Sequence, residues 1–492
     1  MDSTSVRDWV REAYPQGPDA VVELVVRFVG ELTAEIATLS AAVAALQAEN
    51  AALRARLGTD SHNSGKPPSS DGPGVKPHPK SQRVRTGRKP GGQPGHVGHT
   101  LRLVDDPDEV QVHAPAACPA CGQSLAEVAA LRRERRQVVD VPPVTVWVVE
   151  HQVETKCCPE CGAQASGAFP AGVGAPAQYG PGVATLAVYL NQEQLVPLER
   201  TCAVLDEVFG CPLSEGTLES MVGACHRQLA AVEAAIKQGV AAAAVGHFDE
   251  TGVNVGGKTS WLHVGSTARL TFYAAHQKRG REALEAIGLL PPFRGRAVHD
   301  GLVSYWHYTQ CAHALCNAHH LRELTFVAEE LGQPWASDLK DLLLEIKQAV
   351  DTARGQGVGA LTAALTREFA TRYDVILAEG VAANPPPVPT GKRGRPKRGK
   401  AGNLVERLRE HKEATLAFME DFTIPFDNNQ AERDLRMTKV REKISGCFRT
   451  PTGADRFCRI RGYISTLRKQ GIPILSALGQ AIAGTPPMPA TV

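Results

Sequence analysis

No stretch of the 492 residues approaches 18 consecutive apolar positions, and the opening MDSTSVRDWVREAYP has no apolar signal core. A soluble, cytoplasmic protein with no membrane partner is therefore expected. Net charge is almost absent as well: it is +2 over the whole chain, which points to no class of partner. Cysteine is sparse, twelve in all, too few for a secreted disulfide scaffold of this length. Four of the twelve form two Cys-x-x-Cys pairs, which in a reducing compartment point to metal. What the chain does have is a hydrophobic fraction of 43%, enough for a sizeable core, and the length for three or four domains.

The charge missing from the total is present locally. Residues 61–100 hold seven Lys/Arg against one acid, Asp71, and half of that stretch is Gly, Pro or Ser. Such a segment cannot bury enough apolar surface to offset its ordering entropy, so an extended linker is expected. GRKPGG (87–92), with Arg88 and Lys89, resembles a minor-groove hook. A fuller version, Gly394-Arg395-Pro396 preceded by Arg393, lies within KRGRPKRGK (392–400). Thin, arginine-bearing backbone suits the narrow, electronegative minor groove of A·T-rich DNA. Salt-dependent attraction to phosphates in general accounts for the same residues.

Residues 20–57 repeat every seven. Leu32, Leu39, Leu46 and Leu53 form one row, with Val25 before them, and Val29, Ile36, Val43, Asn50 and Leu57 form the other. β-Branched residues at a, leucine at d and one polar Asn at a favour a parallel two-stranded coil, hence a homodimer through 22–57. A single amphipathic helix packed on its own domain would carry a similar pattern.

CPACG (118–122) and CPECG (158–162) are matched turns. Cys118, Cys121, Cys158 and Cys161 supply four thiolates, the set for a tetrahedral structural Zn²⁺. QVVDVPPVTVWVVEHQVE (137–154) reads as a strand pair filling the interval, and Cys157 is a substitute ligand or an idle thiol. A redox pair is the competing reading, for which two knuckles are unnecessary. Further on, VPLERTCAVLDEVFG stops at Gly210, and Ser214 caps a second helix. Helix, glycine turn and capped helix form a helix-turn-helix pattern, which two packed helices also imitate.

After residue 244 the pattern becomes β-rich: 244–255, 259–266 and 270–277, then a helix at 281–288 and a short strand at 295–301. Three strands, a helix and a further strand describe a ribonuclease H-like sheet in which the first and fourth strands are neighbours. Asp249 and Asp300, at the ends of those two, would then face each other. Glu432 stands in the first turn of a helix otherwise rich in cations, among them Arg433, Arg436, Lys439 and Arg441. Alone it reads as an ion pair with Arg436, worth roughly 0.2–0.5 kcal/mol, or as an acid favouring a helix N-terminus. With the two aspartates it completes a carboxylate set for two Mg²⁺ (or Mn²⁺) ions, the cations beside it holding the DNA backbone. Cys316 and His319 in CNAHHLREL offer two ligands only, too few for zinc, so buried packing is their expected role.

These motifs resemble the transposases of the bacterial insertion-sequence-66 family. The zipper is followed by NSGKPPSSD and GRKPGGQPGHVGHT, then CPACG/CPECG, HFDETGVNV, HDGLVSYW, CNAHHLREL and PFDNNQAERDLRMTKVREKISGCFRT…RGYISTLRKQG. The resemblance covers nearly the whole chain; Gly65 stands where serine is expected. It implies a DDE recombinase whose acids are Asp249, Asp300 and Glu432. It implies cleavage at element ends that exposes 3′-hydroxyls, followed by their attack on target DNA. It further implies terminal inverted repeats read by the zinc module, helix-turn-helix and hooks, and small accessory proteins of the same element as partners.

The expected organisation is multidomain α/β. It comprises an N-terminal helix and zipper (1–58), a basic linker (59–104), a zinc-ribbon-like module (105–170) and a helix-turn-helix-like region (171–240). The ribonuclease H-like core begins at 241–323, a mostly helical insertion with hook segment 384–403 occupies 324–423, and the glutamate helix and C-terminal helices fill 424–492. Two other functions fit parts of the same pattern: a catalytically silent DNA-binding regulator, and a ribonuclease H-fold nuclease. The intact acids weigh against the first, and the zipper against the second.

Overall fold

The structure is a computed structural model that describes residues 3–57, 63, 91, 95–97, 100–141, 144–386 and 398–491. Arg88, Lys89, Arg393 and Arg395, the cations of the two hook motifs, lie outside the described residues. The chain divides into two compact units, one of Met1–His78, Pro181–Val196 and Met221–Val492, the other of Pro79–Gly180 and Pro197–Ser220.

At the N-terminus, α1 (Ser3–Ala13) precedes α2 (Pro18–Leu57), a single 40-residue helix. Val25, Val29, Leu32, Ile36, Leu39, Val43, Leu46 and Leu53 on α2 are all exposed. Among the described residues these heptad positions are thus not covered by the chain's own core, unlike those of a packed amphipathic helix. By length and composition Pro18–Gln47 would also suffice to cross a bilayer. Glu23, Arg27, Glu31 and Glu35 recur through it every four residues, the pattern of a solvated coil face.

The second unit holds the cysteine turns. A short antiparallel ladder of β1 (Thr155–Cys157) and β2 (Gln164–Ser166) brackets the second turn, and a bridge between Ala117 and Ser124 brackets the first. The expected strand pair at 137–154 is not formed: the described residues there carry no ladder, and Val138 and Trp147 are more than nine-tenths exposed. A β-branched run acquires strand structure only against a neighbour that covers one face, and none is present among the described residues.

α3 (Pro181–Val188) returns the chain to the first unit. α4 (Leu198–Phe209) ends as expected at Gly210, which takes the left-handed conformation. α5 (Glu215–Gln228) starts at Ser214, whose hydroxyl accepts the Thr217 amide at 3.1 Å. α6 (Ala230–Ala241) leads into the sheet.

Five strands follow: β3 (Val245–Val255), β4 (Lys258–Ser266), β5 (Thr271–His276), β6 (Arg296–His299) and β7 (Ala312–Leu315). Their order in the sheet is β5-β4-β3-β6-β7, with the first three antiparallel and the last two parallel to β3. The first and fourth strands are neighbours, as expected; β7 is an addition. Gly256 and Gly257, both at positive φ, make the two-residue turn between β3 and β4, a backbone that a side chain would strain. α7 (Arg281–Ile287) joins β5 to β6.

Beyond β7 come α8 (Asn317–Leu331), α9 (Pro334–Gly355), α10 (Ala363–Ala383), α11 (Lys400–Glu410) and α12 (Lys412–Glu420). They share one apolar cluster that includes Trp335, Leu343, Phe369, Tyr373, Leu408 and Phe418 and reaches Val298 and Ala314 of the sheet. The helical insertion is thus continuous with the core. α13 (Asn429–Ser445), α14 (Pro451–Lys469) and α15 (Ile474–Ile482) close the chain. Ala431 and Leu435 of α13 and Phe457 of α14 pack with Val253, Leu262 and Tyr273 of the sheet. Gly462 lets α14 approach closely: a Cβ there would stand 3.0 Å from the Thr271 carbonyl oxygen.

Candidate active site

The parallel ladder between β3 and β6 ends at His247 and Val298. Asp249 and Asp300 each lie two residues past that last pair, where parallel strands part and leave a crevice at their C-terminal ends. Asp249 is not at the end of its strand, as the sequence suggested. β3 runs on to Val255 against β4, and only its pairing with β6 stops. One carboxylate oxygen from each of Asp249, Glu250 and Asp300 falls within 4.8 Å of the others. Asp249 Oδ1 accepts the Glu250 amide at 2.8 Å, and Asp300 Oδ1 accepts the Leu302 amide at 3.1 Å.

Glu250 is the acid the sequence reading missed. Its side chain is wholly buried. Arg279 Nε donates to Oε1 at 2.8 Å and the Tyr305 hydroxyl to Oε2 at 2.7 Å. Burial, then the Asp300 charge, raises its pKa, with Tyr305 and Arg279 opposing. For Asp249, burial first and then the charges of Glu250, Asp300 and Glu432 hold the carboxyl well above the usual carboxylate range. Oxygen donors crowded and desolvated in this way are satisfied by a proton or a cation. An all-oxygen set of this kind fits Mg²⁺ or Mn²⁺.

Glu432 is brought to the same region by an anchor at the start of α13. Asn428, at the helix N-cap, turns its side chain away from the helix. Its Nδ2 donates to the Phe248 carbonyl at 2.9 Å, and Oδ1 accepts from His247 Nδ1 at 2.9 Å. Its amide donates to Cys316 Sγ at 3.1 Å. Burial lowers the His247 pKa, and because Asn428 Nδ2 is used on the Phe248 carbonyl, the oxygen that faces the ring accepts from Nδ1–H. Asn428 thereby ties α13 to the residues flanking Asp249. Glu432 Oε1 lies 4.0 Å from His319 Nδ1. Among the described residues Arg436 does not bridge it, so the simple helix ion pair is not its role. Glu432 also falls with Cys316 and His319 in a second group of ligand atoms within 4.8 Å of one another.

Along α13, Arg433, Arg436, Lys439 and Lys443 are exposed. Lys439 Nζ reaches the Gly252 carbonyl and pairs with Glu442 at 3.1 Å. The Arg441 guanidinium stacks 3.7 Å from the Phe448 ring centroid and donates to the Gly446 carbonyl.

In the other unit the two cysteine turns have the same hydrogen bonds. The Gly122 amide donates to Cys118 O at 2.9 Å, and the Gly162 amide to Cys158 O at 3.0 Å. Backbone amides lower the pKa of Cys118, chiefly that of Ala120, and of Cys158, chiefly that of Cys161. Cys118 and Cys121 adjoin, as do Cys158 and Cys161, but the four sulfurs do not fall within one 4.8 Å group. Cys157 is exposed. Chelation is expected to abolish amide-exchange protection across 115–162, because ligation supplies most of such a module's folding energy, about 10–16 kcal/mol in isolated fingers. Cys118→Ser should reproduce the loss while protection of the five-stranded sheet persists; unchanged protection after chelation would contradict the zinc assignment.

Three family models match the chain. The model for the Transposase IS66 family matches residues 176–456, more than half of the length, and spans Asp249, Asp300 and Glu432. The zinc-finger binding domain of transposase IS66 matches 115–162, which contains both cysteine turns and supports structural zinc there. A family of unknown function, DUF6444, matches 23–102. No curated protein matches the chain.

Proposed function

Because the chain belongs to the insertion-sequence-66 transposase family, we propose that it is a DDE-type DNA transposase acting through Asp249, Asp300 and Glu432. The observation that carries this reading is the meeting of Asp249 and Asp300 where the parallel ladder ends, with Glu432 held nearby by a helix pinned to β3. The strand order, antiparallel β5-β4-β3 joined to parallel β6 and β7, supports a ribonuclease H-like core with a mostly helical insertion at 324–423.

Mg²⁺ or Mn²⁺, when bound, supplies the charge that activates the attacking oxygen and stabilises the leaving oxygen of an in-line phosphoryl transfer. The chain's own residues set the stage for it. Asp249, Asp300 and Glu432 provide the oxygens. Arg279 and Tyr305 hold Glu250 beside them, one of its oxygens within 4.8 Å of those of Asp249 and Asp300. Arg433, Arg436 and Lys439 hold the phosphodiester backbone against α13. The reaction is hydrolysis at the element ends, releasing 3′-hydroxyls, and then transfer of those hydroxyls to target DNA.

The zinc module, the helices around Gly210 and the basic hooks recognise the terminal repeats, and small proteins of the same element assist. The work is done in the cytoplasm, at the nucleoid. α2 joins two copies, so that both ends are held at once. The double variant Leu39→Glu/Leu46→Glu should convert the dimer to monomer by light scattering and lower end-pairing by at least about tenfold, since avidity contributes 10²–10⁴ in comparable cases. An unchanged dimer would place the interface elsewhere.

The reading is tested with a plasmid carrying the DNA that flanks this gene on both sides. Nicks mapped to the element ends, dependent on Mg²⁺ or Mn²⁺, are expected. Scattered nicks would favour a plain nuclease, and specific binding without nicks, even with the neighbouring gene products added, a silent regulator.

A further inference from the structure

A second metal-ligand cluster adjoins the catalytic acids and differs from them in chemistry. Cys316 sits at the N-cap of α8 and His319 one turn further on, a spacing that puts both on one side of a helix start. The sequence offered these two ligands alone. The fold adds a third, Glu432, so that one sulfur, one nitrogen and one oxygen lie within 4.8 Å of one another. Cys316 is buried, and the His319 and Glu432 side chains are 30% and 35% exposed, so the cluster borders solvent. The Asn428 amide already points at the sulfur. In tetrahedral zinc sites, metal bonds of about 2.0–2.3 Å are usual. Closing the three atoms onto an ion therefore takes side-chain adjustments of about 1 Å. A mixed sulfur, nitrogen and oxygen set selects Zn²⁺ or Co²⁺ and is unsuited to Mg²⁺.

We propose that Cys316, His319 and Glu432 form a site for a thiophilic divalent cation such as Zn²⁺, which engages Glu432 and withdraws it from Asp249 and Asp300. Glu432 is then the shared ligand of two competing sites. With Mg²⁺ it faces the aspartates. With Zn²⁺ it is held against α8, and cleavage stops. The binding half stands on the cluster alone; the inhibitory half rests on the transposase reading above.

The test uses full-length protein with its cysteine turns loaded with zinc, which Co²⁺ does not displace because zinc binds such sites more tightly. On adding Co²⁺, a sulfur-to-cobalt charge-transfer band with visible bands of a four-coordinate ion is expected. Cys316→Ala should remove the charge-transfer band, and His319→Ala, checked for an unchanged thermal melt, should reduce it at equal cobalt. No band in the wild type, or a band that survives in both variants, overturns the site. In the cleavage assay with Mg²⁺ fixed, His319→Ala should raise the half-inhibitory Zn²⁺ concentration at least tenfold. A cobalt band without zinc inhibition would overturn the competition between sites. Failure of the wild type to cleave at all would count against the transposase reading and leave the spectroscopic result standing.

Discussion

Asp249→Asn is expected to lower DNA cleavage by about a thousandfold or more while raising the melting temperature of the metal-free protein. The first effect follows from losing a charged oxygen where transition-state charge is balanced, an effect worth several kcal/mol. The second follows from the cost of the site. Burial and the charges of Glu250, Asp300 and Glu432 raise the Asp249 pKa in the folded chain. In the unfolded chain the carboxyl ionises in its ordinary range. Between those two values the folded state holds more protons than the unfolded one, so stability falls as pH rises through that window. Asparagine carries no proton to lose. The variant's metal-free stability should therefore be higher at neutral pH and flatter between pH 4 and neutrality than that of the wild type, measured by thermal melts in chelator. Specific DNA binding should persist. A variant less stable than the wild type at neutral pH would mean that Asp249 is not the strained member of the cluster.

Asn428→Ala should cost about 1–3 kcal/mol for each buried partner left unsatisfied, here His247 Nδ1 and the Phe248 carbonyl. It should lower cleavage by about a hundredfold, the scale on which a displacement of about 1 Å acts on catalysis. Asn428 touches no reacting atom. It is a positioning residue, and what it positions is the first turn of α13, including Glu432, whose amide donates to the Asn428 carbonyl at 3.2 Å. Asn428→Asp separates the two roles. It retains an acceptor for His247 and removes the donor to Phe248, so it should fall between wild type and alanine in both stability and rate. Cleavage measured well below the melting point keeps the two effects apart. Unimpaired cleavage by a folded Asn428→Ala protein would show that α13 is placed by its apolar face alone.

Much of this was legible in the sequence because it is written in local spacing. A seven-residue repeat of branched and leucine side chains needs no tertiary context, and α2 presents it to solvent. Gly210 and Ser214 set the end of one helix and the start of another by backbone chemistry alone. The neighbouring first and fourth strands, and so the pairing of Asp249 with Asp300, followed from the order of strands and helix. What escaped was long-range. Glu250 carried no local signal, because its partner Tyr305 is 55 positions away. Asn428 carried no local signal, since its side chain is used 180 residues back, at Phe248. Cys316 and His319 seemed short of a ligand for the same reason. β7 was missed because AHAL is four residues with little β preference, made a strand by its parallel neighbour β6. The run at 137–154 shows the converse: strong β composition without a covering face. Arg441 shows a contact invisible in local spacing, its guanidinium stacked on Phe448.

The most direct test of the account is the cleavage product of Glu432→Gln. End-labelled DNA carrying the flanking repeats, with Mg²⁺ present, is incubated with the wild type and the variant, and the 3′-ends are mapped to the nucleotide. The account predicts end cleavage by the wild type and its loss by about a thousandfold in the variant, with repeat binding retained. Cleavage at the wild-type rate by Glu432→Gln would contradict it, and the third acid would have to be sought elsewhere, with the buried Glu250 the first place to look.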